Sequence, residues 1–249
     1  MPKMKMSDGC ELYYTWDGDE NKPVLMFSCP LGFTHTVWDA QVAELATDFR
    51  ILRYDARGHG QSDVTCEAYT IESLSQDVQE LIKGLGLPPI AFCGLSIGGM
   101  VGIYLAKNNP DLFTHVVLAN TSAYLGTAPP LEQRLKIVKE QGMAAVADDV
   151  ISRSLSQNYR MANPQETERI TNMLTSISPA GYIAGGQAVL SMDLRGIASD
   201  IALPVLVIAG IIFSTSALLP EGAGIYGVGI AAVGMLSTVG ITMAIDAYG

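Results

Sequence analysis

The chain has 249 residues with 15 basic and 25 acidic side chains, a formal net charge of −10. That length suits one large domain, and the acidic balance offers no clustered Lys and Arg to nucleic acid phosphates or anionic lipid, which excludes nucleic-acid binding. Hydrophobic residues make up 49% and charged residues 16% of the chain, enough for a core and too apolar for wholesale disorder.

Residues 1–9 lack the apolar core of a secretory signal, and Cys10, Cys29, Cys66 and Cys93 form neither a C-x-x-C pair nor a cluster with His. The expectation is a cytoplasmic protein with no disulfide framework and no metal. Residues 11–16 read as a strand ending at the turn Asp17-Gly18, and 24–28 and 51–54 are short apolar runs of the buried-strand kind. Between the last two, 38–46 carries helical spacing. Thr70 is placed to cap a helix running to Leu85, with Glu72 and Glu80 on its polar side. Strand 90–93, a Gly-rich turn, helix 97–108 stopped before Pro110, and strand 115–119 continue the alternation. Buried strands separated by helices predict a doubly wound, mostly parallel α/β sheet.

From 121 to 200 the alternation gives way to helical pieces near 131–141, 144–156 and 165–177, a helical cap laid over the sheet. Pro204 introduces a last strand, 205–209, expected at or near an exposed edge and so open to pairing with other chains. The expected organisation is a core of residues 1–120 and 201–210, a cap of 121–200, and an apolar, Gly-rich tail of 211–249. All Lys and Arg lie at or before Arg195, and after Asp200 only Glu221 and Asp246 are charged. Residues 223–245 carry no charge, and as a helix they would span about 35 Å at ~1.5 Å per residue, against a hydrocarbon core of ~30 Å. They read as a transmembrane-type segment that could tether the chain to a membrane, the alternative being a buried stretch of core. Small residues let membrane helices approach closely.

Gly94-Leu95-Ser96-Ile97-Gly98 follows a predicted strand and opens a predicted helix, the setting a nucleophile elbow needs. The flanking glycines leave room for a strained turn that lifts the Ser96 hydroxyl off the sheet. The helix start adds its positive dipole and the Ile97 N–H facing a developing oxyanion. The bland alternative is a Gly-rich turn without chemistry. A second oxyanion donor belongs in the loop after an early strand, and in Ser28-Cys29-Pro30-Leu31-Gly32 the candidate is the Leu31 N–H, since Pro30 has none to give. Cys29 is expected to be a small apolar wall, with no partner in sight to activate it.

Tyr54-Asp55-Ala56-Arg57-Gly58-His59-Gly60-Gln61-Ser62, Gly94-Leu95-Ser96-Ile97-Gly98-Gly99-Met100 and Leu118-Ala119-Asn120-Thr121 together resemble the α/β-hydrolase superfamily. Within it the chain is similar to the 3-oxoadipate enol-lactonase group, through Leu31, Gly32 and Trp38-Asp39 at the oxyanion segment and Ser178-Pro179-Ala180-Gly181-Tyr182 with Asp193-Leu194-Arg195 in the cap. The resemblance covers residues 1 to about 210. It implies a hydrolase of a small lactone or ester that needs no cofactor, with Ser96 as nucleophile and Leu31 and Ile97 N–H groups as the oxyanion hole. For an enol-lactone bearing a carboxylate it implies a cap cation, for which Arg134 is the candidate; a solvated helix charge is the alternative.

A triad needs an acid and then a His in chain order. The resemblance puts the acid in the stretch after strand 205–209, where Phe213 stands in its place, and no His follows His115. Among the remaining histidines, His115 begins a strand whose far end faces the elbow, and His59 belongs to a structural turn. His35 is the candidate surrogate base, although no acid is evident to orient it. From Phe213 onward, and especially through 227–249, the chain resembles a transmembrane portion of a membrane-bound proton- or sodium-pumping pyrophosphatase. A pump needs many other helices and an acidic Mg²⁺-binding site, so the fragment implies no pumping. The economical explanation is a chimera of a truncated hydrolase and unrelated coding sequence. Two functions remain open: an impaired serine hydrolase, or a non-catalytic module that binds without chemistry.

Overall fold

The computed structural model describes residues 2–65 and 68–208. The tail 211–249, its transmembrane-type segment 223–245 and Phe213 lie outside them. Among the described residues no helix is long and apolar enough to cross a membrane.

The chain begins with two strands, β1 (Lys3–Lys5) and β2 (Glu11–Asp17), followed by β3 (Val24–Ser28), helix α1 (Asp39–Leu45) and β4 (Arg50–Tyr54). Helix α2 (Ile71–Gly84), β5 (Ile90–Leu95), α3 (Ile97–Asn108) and β6 (Phe113–Ala119) complete the first half. Six helices then intervene: α4 (Pro129–Gln141), α5 (Ala147–Ser154), α6 (Gln157–Ala162), α7 (Pro164–Ser176), α8 (Pro179–Ser191) and α9 (Arg195–Ala198). Strand β7 (Val205–Ile208) returns the chain to the sheet. The sequence misses β1, three residues of KMK with no apolar pattern, and α8, whose glycines 181, 185 and 186 argue against a helix until packing is considered.

The strands hydrogen-bond in the order β1-β2-β4-β3-β5-β6-β7. β4, β3, β5, β6 and β7 run parallel, while β1 and β2 are antiparallel, so the sheet is mixed. Every residue of β5 is buried, as expected of a parallel strand covered on both faces. α2 starts where the sequence places it. The Thr70 hydroxyl accepts from Ser73 N–H and the Ser73 hydroxyl accepts from Thr70 N–H, each at 3.0 Å, which satisfies two donors the helix end would otherwise leave open. One apolar layer joins α1, α4, α5 and α7 to one face of the sheet, and a second joins α2, α3 and the end of α8 to the other. The segment between β6 and β7 adds no strand to the sheet among the described residues. It makes only an isolated bridge between Tyr124 and Asp193, where its entry and exit meet.

β3 and β4 connect on one side of the sheet and β5 and β6 on the other. The chain therefore diverges at the carboxyl ends of β3 and β5, the position where open α/β sheets hold their ligands. β7 pairs with β6 and is the last strand among the described residues, with Val207 64% exposed.

The turn after β4 is locked by charge. Arg57 grips Asp77 of α2 through Nε and Nη2 and reaches Asp8, before β2, at 2.8 Å through Nη1. Burial lifts the Asp77 carboxyl above its ordinary value despite the guanidinium beside it. Arg57→Met should therefore strand a buried carboxylate at a cost of about 3–5 kcal/mol at pH 7. Arg57 holds the Asp77 carboxyl down against burial, so its loss raises that carboxyl further in the folded variant, and the deficit should shrink as pH falls towards 5. Urea unfolding midpoints at the two pH values check this, and a deficit independent of pH would contradict it.

Candidate active site

Ser96 sits at the junction of β5 and α3 with φ 56° and ψ −116°, a conformation that costs a non-glycine residue ~1–3 kcal/mol and persists only where the surroundings impose it. Those surroundings are visible. Ser96 N–H donates to Ala119 O of the adjacent strand at 2.9 Å. The Thr121 hydroxyl, just past β6, donates to Ser96 O at 2.7 Å. A Cβ on Gly94 would fall on the Gly98 carbonyl, and one on Gly98 would lie 2.5 Å from Ser28 O. Glycine at both ends thus lets the first turn of α3 fold back on β5 and the loop after β3 close against it.

That loop carries Leu31. Neither Leu31 N–H nor Ile97 N–H donates to a hydrogen-bond partner among the described residues, and Ile97, as the first residue of α3, has no intrahelical acceptor to use. Leu31, Ile97 and Gly98 line one cavity together with Pro30 and His59. Gly32 N–H, by contrast, is committed: it donates to His59 Nε2 at 3.0 Å, while His59 Nδ1 lies 3.2 Å from Arg57 O. Burial holds the His59 imidazole below its ordinary pKa. The Ser96 hydroxyl has no hydrogen bond to an acid or a His among the described residues.

The candidate surrogate base needs one correction. His35 does have an acid, since its Nδ1 lies 2.8 Å from Asp55 Oδ1 and its N–H donates to the same oxygen at 2.7 Å. An Asp opening a tight Gly-rich turn is the residue type that gathers backbone N–H groups, and that signal could have identified it. The pair stands at the end of β4, however, two strand spacings or ~10 Å from the end of β5. His115 lies four residues below Ala119, ~13 Å down β6, and both its ring nitrogens are buried without a hydrogen bond among the described residues.

Arg134 is not a solvated helix charge. Its side chain is 18% exposed, with Nη1 donating to the Tyr182 hydroxyl at 3.3 Å and Nε 3.5 Å from Asp149 Oδ2, near enough for attraction but without a hydrogen bond. Tyr182 in turn packs against Gly32, so the guanidinium stands one side chain away from the oxyanion loop. Among the described residues no group of three or more His, Cys, Asp or Glu could hold a metal ion.

The α/beta hydrolase fold family matches residues 22–150, and the inorganic H+ pyrophosphatase family matches residues 112–249. Up to residue 208, the second match falls on β6, the helices after it and β7. The chain is similar to 3-oxoadipate enol-lactonase 2 of Acinetobacter baylyi, with 35% identity over 80% of this chain and 74% of that protein. Its structure resembles an enol-lactonase from Burkholderia xenovorans with a TM-score of 0.81 and 37% identity, covering 84% of this chain and 81% of that one. It also resembles a thermophilic esterase from Thermogutta terrifontis with a TM-score of 0.75 and 27% identity, covering 84% and 79% of the two chains.

Burial pushes the Cys29 thiol far above its ordinary pKa, and Cys93 up to about 12. Both should stay unmodified by iodoacetamide in the native protein at pH 8 and react on denaturation, as read by peptide mass mapping. Rapid native alkylation of Cys29 would contradict its place as a wall of the loop.

Proposed function

The chain belongs to the α/β-hydrolase fold family, and on that premise we propose that it is a serine hydrolase of a lactone or carboxylic ester, most like a 3-oxoadipate enol-lactonase, with turnover impaired by a missing triad acid and base. The observation that carries this reading is the backbone of Ser96, held at positive φ between two adjacent loops that both present uncommitted N–H groups. Ser96 Oγ attacks the substrate carbonyl carbon, its proton passing to solvent water, which returns a proton to the departing oxygen, a route that is slow without a positioned base. The Leu31 and Ile97 N–H groups take the charge that develops on the carbonyl oxygen, a contribution worth ~10²–10³-fold per donor. The alkoxide or enolate departs, and water releases the acyl group. No cofactor is needed. Arg134 supplies the cation for a substrate carboxylate beneath the cap.

In this reading residues 1–120 and 201–210 are the catalytic core, 121–200 the cap, and 211–249 a tail of separate origin that the segment 223–245 could bring to a membrane. The protein is otherwise placed in the cytoplasm. Impairment follows from Phe213 at the acid's position and from the lack of any His after His115. A non-catalytic binding module is the second reading, supported by the absence of a His or acid at the Ser96 hydroxyl among the described residues.

The chain as written should hydrolyse an enol-lactone and p-nitrophenyl acetate only slightly faster than Ser96→Ala. Replacing the residues after Gly210 with a hydrolase C-terminus that supplies both partners should raise the rate at least ~10³-fold, the low end of what general-base catalysis and orientation provide. Rapid turnover by the unaltered chain that is lost in Ser96→Ala would overturn the impairment. A fluorophosphonate probe that never labels Ser96 would favour the binding module.

A further inference from the structure

Gly32, next to Leu31 in the oxyanion loop, is held on its core side by one side chain, His59. Gly32 N–H can only donate, so His59 Nε2 must accept, and the ring proton then belongs on Nδ1, facing the Arg57 carbonyl. The ring is 5% exposed and cannot turn without leaving one of these groups unpaired. Cap helix α8 closes over the same turn. A Cβ on Gly181 would fall on the Gly58 carbonyl, and one on Gly185 would lie 2.8 Å from Leu31 Cδ1 and 3.6 Å from His59 Cε1. Gly181 and Gly185 are four residues apart and therefore share one face of the helix. That face meets the turn, the imidazole and Leu31 together.

We propose that His59 is a positioning residue, a post between the turn after β4 and the oxyanion loop that holds Leu31 N–H towards Ser96 only while its ring is neutral. The inference rests on the serine-hydrolase reading for its consequence, though not for its geometry. Protonation would turn Nε2 from acceptor to donor and set it against Gly32 N–H, releasing the loop. The charged and titratable groups around the ring are Asp55 and Arg57 in its own turn, Asp77 from α2, Tyr54, Tyr69 and Cys29. α8 presents Gly185 to it. Asp55 favours the protonated ring, and burial opposes it more strongly. With the folded ring below the ~6.5 of a free imidazole, the lock is intact above that pH and fails as pH falls towards the folded value.

Two variants divide the two bonds. His59→Gln carries an amide oxygen to the place of Nε2, keeping the acceptor for Gly32; His59→Asn reaches only the place of Nδ1, keeping the donor to Arg57. On the full-length chain, labelling of Ser96 by a fluorophosphonate should be close to the unaltered rate in His59→Gln and ~10-fold to 10²-fold slower in His59→Asn, up to the loss of one oxyanion donor. Imidazole ¹⁵N shifts should show the Nδ1–H form, with the Gly32 amide resonance moving as His59 titrates below ~6.5. An Nε2–H ring, a Gly32 amide indifferent to that titration, or equal labelling of two folded variants would overturn the proposal. If the unaltered chain shows no labelling beyond Ser96→Ala, the serine-hydrolase reading fails instead, and the post is decided by the ring tautomer and the Gly32 amide.

Discussion

The Asp55 carboxylate, fully buried, is the constraint from which the rest of this site is built. Its Oδ1 takes the His35 backbone N–H and ring nitrogen, and its Oδ2 takes Gln61 N–H at 2.9 Å. A buried carboxylate is tolerable only when such bonds replace its water. Here the replacement comes from both ends of the structure that matters: the loop after β3 at His35, and the turn after β4 at Gln61. Gly60 passes so close to the carboxylate that no side chain could stand there. Arg57 and His59 project from the turn so formed, one towards α2 and the other towards Gly32.

The oxyanion loop is consequently held unevenly. On the core side its bonds run to an imidazole and a carboxylate. On the cap side Thr34 N–H and the Thr34 hydroxyl donate to the Met173 thioether at 3.3 and 3.1 Å, and Gly32 meets Leu174 and Tyr182 by contact alone. Sulfur is a weak acceptor, so the cap side contributes mainly shape. The loop keeps its place by reference to the sheet, and the cap can adjust around it.

Much of this was legible in the sequence because local chemistry decided it. The β3 run Val24–Ser28, helix Ile97–Asn108 and the Thr70 cap emerge as expected, since apolar runs, Pro110 and a Ser73 three residues beyond Thr70 act over a few positions. The elbow was legible for the same reason: glycines at 94 and 98 have a single steric purpose. What stayed hidden was decided across the fold. Asp55 and His35 are twenty residues apart, and although an Asp opening a Gly-rich turn signals that it gathers backbone N–H groups, nothing in its segment names His35 as their source. β1 exists because Lys3, Met4 and Lys5 find partners in β2. α8 is a helix because its glycines are contact points for the turn, Leu31 and Leu135, so a poor local propensity serves close packing. Arg134 could be singled out as a candidate cap cation, but the period of α4 alone does not show that Asp149 and Tyr182 stand against it.

The meeting of the cap's two ends has a further consequence. Leu194 N–H donates to Ala123 O at 2.7 Å, Tyr124 and Asp193 form a bridge, and the Arg195 guanidinium lies 3.8 Å over the Tyr124 ring. An excursion that departs and returns through one closed doorway leaves the sheet's connectivity indifferent to its length, because the ends remain joined whatever lies between and loop-closure entropy grows only slowly with the number of residues. The strands, the elbow and the Asp55 turn can therefore be inherited as one unit while the seventy residues or so beyond the doorway are shortened, extended or exchanged. Substrate preference in such an architecture is free to drift without disturbing the frame that performs the chemistry.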